Sequence, residues 1–167
     1  MVNDQDRILY FESQKLRQWW IWLIVFVGPL TLLFNIMQII RADVAGGSDI
    51  YWLILTGLLF GIGLPVFIYS VCLFIEVRES GLYIRVRPFH RSWVVFYFQD
   101  IRNVKAVRYR PIRDYGGWGI RYGWNGKAYN MRGDKGVMLT LGDGKNLLIG
   151  SQHHEELRSV IGTCLVS

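Results

Sequence analysis

Few residues in this sequence have the types and spacing that metal binding requires. The three histidines are His90, His153 and His154, and the last two are adjacent. Neighbouring residues in a helix point about 100° apart, so this pair cannot converge on one metal ion as residues four apart can. The two cysteines, Cys72 and Cys164, are far apart in the sequence, and we expect both to be reduced thiols. The sequence therefore predicts no metal site and no cofactor.

Residues for catalysis are equally sparse. The acidic residues after position 75 are scattered and fall mostly at predicted turns or helix starts, so they form no pair for acid–base chemistry. Glycine-rich segments at 116–119 and 142–144 could supply backbone amides to a phosphate, but strands rather than helices are predicted after both. We assign no catalytic residue and expect no enzymatic activity. The alternative is a membrane-bound lipid-modifying enzyme whose site cannot be identified from residue spacing.

The clearest chemical pattern is a mixture of basic and aromatic residues between positions 108 and 127. Residues 76–167 contain 15 basic and 8 acidic residues, so this half of the chain holds the positive charge. Guanidinium groups bind phosphate and aromatic rings stack, which suits anionic lipid headgroups or a nucleic-acid strand. The candidate binding surface consists of Arg108, Arg110, Arg113, Tyr115, Trp118, Arg121, Tyr122 and Lys127.

Three interpretations of this surface remain open. It could be a solvated basic face beside an anionic leaflet, a surface that recognises a protein partner, or a site for a specific lipid. We expect the partners to be membrane lipids and either a membrane protein or a second copy of the chain. Nucleic acid is not an expected partner.

The elements that position these residues begin with two apolar segments. No residue in 18–40 or in 50–75 is charged, and a bilayer core about 30 Å thick needs roughly 20 helical residues to cross. We predict an N-terminal segment at 1–18 and a hairpin of two membrane-spanning helices within 19–72. Basic residues flank the two helices on one side, so both termini are expected in the cytoplasm, with the protein in the cell membrane.

Side chains near and within the two helices support this placement. Aromatic rings favour the membrane interface, and the sequence provides them there as Trp19, Trp20, Trp22, Tyr51 and Trp52.

A pair of glycines lies inside the second helix. Gly57 and Gly61 have the spacing that allows close approach of another helix, either the chain's own first helix or one from a second copy.

Residues 73–167 predict a mainly β domain. Short alternating segments are separated by turn residues, including Asn125-Gly126, which has the strongest two-residue hairpin signal in the chain. After the strands, Ser151 is a plausible N-cap for a final helix. We count about seven strands closed by one C-terminal helix.

This order of elements resembles the pleckstrin-homology-like fold, a split barrel plugged by its final helix. The whole chain also resembles a family of uncharacterised prokaryotic two-span membrane proteins. The segments that carry this resemblance are residues 10–14, 115–121, 136–141 and 149–152. The resemblance brings no known activity or site. Taken together, the sequence predicts a membrane-anchored, non-catalytic binding or scaffold module that presents a basic, aromatic-rich domain at the inner membrane surface.

Overall fold

The computed structural model describes residues 6–16, 18–41, 47–123 and 126–166. The chain divides into two compact units, a helical unit at Arg17–Val71 and a β-rich unit that combines Met1–Leu16 with Cys72–Ser167. Along the chain, the second change between the units falls between Val71 and Cys72. Residues 6–16, which lie within the predicted N-terminal segment, belong to the β-rich unit.

The helical unit is formed by the two apolar segments. Its elements are α1 (Trp19–Ile40), α2 (Gly47–Leu58), a π-helical turn (Leu59–Gly63) and α3 (Leu64–Ser70). Among the described helices, the continuous stretch Ile50–Ser70 is long and apolar enough to cross a membrane, judged by length and composition, and its mean hydropathy is 2.0. The strongly apolar part of α1 is shorter, Val25–Ile40. Cys72 lies beyond this unit, as the first residue of a strand.

The contact between α1 and the second helical segment is close and partly polar. The side chain of Asn35 donates to the carbonyl oxygen of Leu53 at 2.8 Å and to the hydroxyl of Thr56 at 3.0 Å. A Cβ added to Gly57 or Gly61 would lie 3.0–3.1 Å from the side chain of Leu32 in α1. The glycine pair therefore faces the chain's own first helix.

The predicted interface aromatics are only partly described. Tyr51 and Trp52 are 76% and 65% exposed on α2. The backbones of Trp19, Trp20 and Trp22 belong to α1, but their side chains lie outside the described part of the structure.

The β-rich unit contains two sheets. The first has the order β1-β2-β3-β4 and is antiparallel throughout. Its strands are β1 (Ile8–Lys15), β2 (Cys72–Arg78), β3 (Gly81–Arg87) and β4 (Val94–Tyr97).

The second sheet has the order β5-β8-β9-β7-β6, in which β7 and β9 are parallel and the other pairs antiparallel. Its strands are β5 (Ile101–Arg108), β6 (Gly119–Gly123), β7 (Gly126–Asn130), β8 (Lys135–Leu141) and β9 (Asn146–Gly150). The described residues therefore form nine strands: eight follow Val71, where about seven were expected, and β1 lies in the N-terminal segment. The two residues between β6 and β7, Trp124 and Asn125, lie outside the described residues, and the predicted Asn125-Gly126 turn falls partly on them.

Three short or terminal helices complete the unit. They are a 3₁₀ turn (Phe98–Asp100), α4 (Pro111–Tyr115) and α5 (His154–Val166). Leu157 and Ile161 of α5 are fully buried, as are Val137 and Leu139 of β8 and Ile149 of β9. The spacing of the buried α5 residues is that of one helix face, and α5 contacts β5 and β8 of the second sheet. The predicted C-terminal helix is therefore present. The helix begins at His154, and the hydroxyl of Ser151 accepts from the backbone N–H of His153 at 3.0 Å just before it, as a capping side chain does.

Candidate functional site

The candidate site lies around α4, a five-residue helix between β5 and β6. Pro111 is compatible with the first helical turn because its missing N–H would have no partner there. Gly116 ends the helix in the left-handed conformation with φ 69°, and its N–H donates to the carbonyl oxygen of Ile112 at 2.9 Å. At the start, the carboxylate of Asp114 accepts from the N–H of Arg110 at 2.8 Å. These contacts fix a short exposed helix on the sheet.

Tyr115 anchors α4 on the second sheet. The side chain is 5% exposed and meets Tyr109 edge to face, with ring centroids 6.1 Å apart. Both rings pack with Ala128 and Leu148 in a small cluster on the second sheet. Burial raises the pKa of Tyr109 to about 12 and also raises the pKa of Tyr115, so both hydroxyls stay protonated near neutral pH. Tyr115 was predicted as a binding residue; its ring is mostly packed, and the residue also contributes to the lining of the cleft beside α4.

An open cleft of about 510 Å³ lies between α4 and the edge strand β6. Its lining residues are Ile112, Arg113, Asp114, Tyr115, Gly116, Tyr122 and Gly123. Ile112 is 69% exposed and Tyr122 is 77% exposed, so two large apolar side chains face solvent beside a cation. Gly123 is required here because a Cβ would collide with the carbonyl of Asp114 and the ring of Tyr115.

The remaining predicted residues divide between two faces of the β6–β7 hairpin. Tyr122 pairs with Lys127 and Arg121 pairs with Ala128, and neighbouring positions in a strand point to opposite faces. The ammonium group of Lys127 lies 5.4 Å from the ring centroid of Tyr122 and 4.6 Å from that of Tyr129. Arg121 is on the face of Ala128, the face that also carries Tyr115. The eight predicted residues therefore do not form one continuous surface.

Two arginines of the predicted surface are already engaged within the chain. The guanidinium of Arg108 donates to the carboxylate of Asp134 at 2.6 Å, which lowers the pKa of that carboxyl. The Nε of Arg121 donates to the carbonyl oxygen of Trp118 at 3.0 Å, and the indole of Trp118 donates to the carbonyl of Gly133 at 3.2 Å. Trp118 thus helps to hold the loop that follows α4. The binding candidates that face solvent near the cleft are Arg110, Arg113 and Tyr122.

The histidines do not come together in the structure. Nδ1 of His90 accepts from the backbone N–H of Val86 at 3.3 Å, and the imidazole meets the ring of Tyr129 edge to face at 5.8 Å. Burial and the charge of Lys127 lower the pKa of His90. Within the described ranges, no group of three or more His, Cys, Asp and Glu residues is arranged to hold a metal ion. Both cysteines are free thiols.

A buried polar network around Glu12 was not predicted from the sequence. The Glu12 carboxylate accepts from the hydroxyl of Tyr10 at 2.6 Å, the amide of Gln14 at 3.0 Å, the hydroxyl of Ser151 at 2.5 Å and the N–H of Gln152 at 2.8 Å. Burial and the hydrogen bond to Glu12 raise the pKa of Tyr10, so its hydroxyl remains a donor. The network joins β1 to the segment that enters α5.

Comparison with known proteins places the chain in a family. A family model described as a family of unknown function (DUF6141) matches residues 1–167. The chain belongs to this family. The match confirms the predicted resemblance to an uncharacterised family over the whole length. A search of curated proteins found no match.

Two of the segments on which the resemblance was based meet in the Glu12 network. Residues 10–14 supply the carboxylate and two of its donors, and residues 149–152 supply the other two. A sequence comparison alone gives no reason for these segments to be close, because the whole helical unit lies between them along the chain. The signal that could have revealed the network is the clustering of polar residues within both segments.

Proposed function

We propose that this protein is a membrane-anchored, non-catalytic binding module. Its two apolar segments form a hairpin of two membrane-spanning helices, with both termini in the cytoplasm. The β-rich unit is a pleckstrin-homology-like domain that recognises a membrane-protein partner through the cleft beside α4.

Strand pairing supports an even number of membrane crossings. β1 precedes α1 and β2 follows α3, yet the two strands pair from Ile8 and Arg78 to Lys15 and Cys72. Strands of one sheet must be on the same side of a membrane. If Ile50–Ser70 crosses the bilayer, α1 must cross it as well. At 1.5 Å per residue, the 22 residues of α1 are long enough for this crossing.

The surface of the helical unit also suits a bilayer. Large apolar side chains on both segments are exposed, among them Phe26, Leu30 and Val66 at 62–64%. Soluble proteins do not usually expose contiguous apolar patches of this kind. The basic residues that flank the helices, such as Lys15 and Arg78, favour the cytoplasm as the location of the β-rich unit.

The sheet topology supports the pleckstrin-homology-like assignment. The first sheet has four strands, and the second has three when the β6–β7 hairpin is regarded as an extension of its edge. The final helix α5 then covers the second sheet, as the resemblance implies. In this interpretation, the helical hairpin is inserted between the first and second strands of the domain.

The proposal of a protein partner rests on the exposed apolar residues beside Arg113. Ile112 and Tyr122 project at the two sides of the open cleft, and protein interfaces are enriched in aromatic residues and arginine. Arg110 and Arg113 add positive charge. The expected ligand is therefore an acidic segment of a membrane protein with one apolar anchor residue. Tethering to the same membrane raises the effective concentration, so a weak contact suffices.

Photo-crosslinking in native membranes tests this proposal. We expect a photoreactive residue at Ile112 to capture a defined protein, and the capture should be lost when Arg110, Arg113 and Arg121 are replaced with Glu. Exposed charged positions usually contribute little to stability, so the fold should remain intact. High salt should also weaken the capture, because it screens exposed charges.

A matched control distinguishes the effect of the cleft residues on capture from the effect of net charge. Replacing Arg102, Lys105 and Arg158 with Glu makes the same change in net charge at other exposed positions. Equal capture by the cleft variant and wild type would refute the proposal. Loss of liposome flotation without any change in crosslinking would indicate that the surface binds lipid rather than protein.

A further inference from the structure

The strand β6, at one end of the second sheet, has a side without a strand partner. In the order β5-β8-β9-β7-β6 it pairs with β7 alone. Unpaired backbone groups along a sheet edge form a template for a further strand, and many proteins protect such edges with lysine or proline. β6 consists of Gly119–Gly123 and contains neither residue. Its free side is therefore suited to pairing with another chain.

The register of the β6–β7 hairpin identifies the backbone groups on the free side. The N–H of Gly119 donates to the side chain of its partner in β7 at 3.0 Å, so it points towards β7. Gly123 pairs with Gly126, at the separation where a two-residue hairpin closes with backbone hydrogen bonds. In an antiparallel pair, alternate residues direct their N–H and C=O groups away from the partner strand. Ile120 and Tyr122 therefore direct theirs to the free side, where no described element pairs with β6.

The cleft beside α4 runs along this same edge. Tyr122 and Gly123 of β6 contribute to its lining, together with Ile112 and Arg113 of α4. A Cβ on Gly123 would collide with α4, so α4 covers the sheet face opposite to the one that carries the ring of Tyr122. The side chains of an added strand would alternate in the same way. One set would meet α4, and the other would meet Tyr122.

The charge around the edge favours an acidic occupant. Arg110 and Arg113 are exposed, and neither forms an ion pair with another described side chain. The carboxylate between them and the strand in sequence, that of Asp114, accepts from the backbone N–H of Arg110. Pairing of β6 with β6 of a second copy would bring these arginines and Arg121 close to their own counterparts, and like charges across paired strands are destabilising. An acidic chain forms favourable contacts instead.

We propose that β6 binds an acidic segment of the membrane-protein partner as an additional β-strand, through hydrogen bonds to the backbone groups of Ile120 and Tyr122. The inference rests on the proposed function and specifies the conformation of the ligand at that site. In strand addition, main-chain hydrogen bonds supply affinity and alternate side chains supply specificity. The bound segment therefore alternates acidic residues, which face Arg113, with apolar residues, which face Tyr122.

Proline substitutions at the edge test this mode of binding. Proline is tolerated in an edge strand where the N–H faces solvent. Tyr122→Pro and Tyr122→Val both remove the aromatic ring, but Tyr122→Pro alone also removes the outward N–H. The protein captured by the photoreactive residue at Ile112 is purified and titrated in detergent against the full chain. We expect Tyr122→Pro to bind it about three- to tenfold more weakly than Tyr122→Val, the effect of one lost hydrogen bond. Ile120→Pro and Ile120→Val should differ in the same way.

A second kind of variant removes the donor without proline. The α-hydroxy acid analogue of tyrosine at position 122 replaces the N–H with oxygen and keeps the ring, so it gives the answer even if thermal unfolding shows that the proline variants are not folded. This ester variant should also bind more weakly than wild type.

The outcomes separate this inference from the proposed function. Wild-type binding by the ester variant, or equal binding by folded proline and valine variants, would overturn strand addition and leave the partner proposal intact. If the photoreactive residue at Ile112 captures no protein, both proposals are wrong. Capture of a second copy of the chain would overturn the assignment of an acidic partner.

Discussion

At the scale of single residues, Glu12 is the most constrained side chain in the β-rich unit. Its carboxylate is 7% exposed and has four donors. Burying a charge is costly unless hydrogen bonds compensate for the lost water. Here the compensation comes from β1 itself and from the start of α5, so both segments must be in place for either to be stable.

Replacing Glu12 with Gln should lower the free energy of unfolding by about 2–3 kcal/mol. The amide keeps the size of the side chain and can donate to the hydroxyls of Tyr10 and Ser151, but the four hydrogen bonds lose the strengthening that the charged carboxylate gives them. Chemical denaturation in detergent measures the effect. Ser13→Ala, on the exposed face of the same strand, should change stability by less than about 0.5 kcal/mol. Equal stability of the two variants would show that the network is not a structural link.

The residue types predicted the chemical character of the candidate surface better than they predicted which side chains share one face. Arg110, Arg113 and Tyr122 are exposed as expected, whereas Tyr115 is buried and Arg121 lies on the face of the β6–β7 hairpin opposite to Tyr122 and Lys127. The difference arises because α4 folds back over the second sheet. Basic and aromatic residues in a short stretch indicate a kind of chemistry, but the position of a covering helix cannot be deduced from composition.

At the scale of elements, the π-helical turn marks the closest contact within the helical unit. A π turn interrupts the regular helix ladder, and Leu59–Gly63 does so where Gly28 of α1 meets the carbonyl of Phe60. A Cβ at position 28 would overlap that carbonyl oxygen. The contact thus depends on glycine in α1 as well as on Gly57 and Gly61 in the second segment.

Gly28→Ala should therefore destabilise the helical unit by about 1–3 kcal/mol, as overpacking does in other cores. Gly63→Ala is the matched control, because its Cβ would lie 3.6 Å or more from its neighbours. Alanine favours helices over glycine, so this control should be neutral or stabilising by up to about 1 kcal/mol. Thermal unfolding in detergent compares the two. A larger loss in the control would exclude close helix contact at Gly28.

The strands after residue 80 were predicted from alternation, but β1 was not. In β1 the residues that point inward are Tyr10, Glu12 and Gln14, whereas Leu9 and Phe11 are exposed. This arrangement reverses the usual pattern of apolar residues inside and polar residues outside. The alternation of β1 is therefore that of a strand. Its sequence nevertheless predicts the wrong buried face, because Glu12 and Gln14 are buried through hydrogen bonds to residues 150–152.

At the scale of the whole molecule, the pairing of β1 with β2 makes the membrane topology testable with single cysteines. Under the proposed topology, Gly47→Cys should react with an impermeant reagent on intact cells. Ser159→Cys on α5 should react only after permeabilisation, with the wild-type chain as the background control for Cys72 and Cys164. The reverse pattern of labelling would place the β-rich unit outside the cytoplasm.

The helical unit lies between β1 and β2 in the chain, so the first sheet cannot be completed until that unit has been synthesised. β1 leaves the ribosome first, but its partner β2 emerges only after α1, α2 and α3 have been made. The hydrogen bonds of Glu12 to Ser151 and Gln152 form later still, because these two residues follow β9 in the chain. Under the proposed topology, membrane insertion of the nascent helices precedes completion of the sheet, and the finished sheet then closes the loop of chain that contains them.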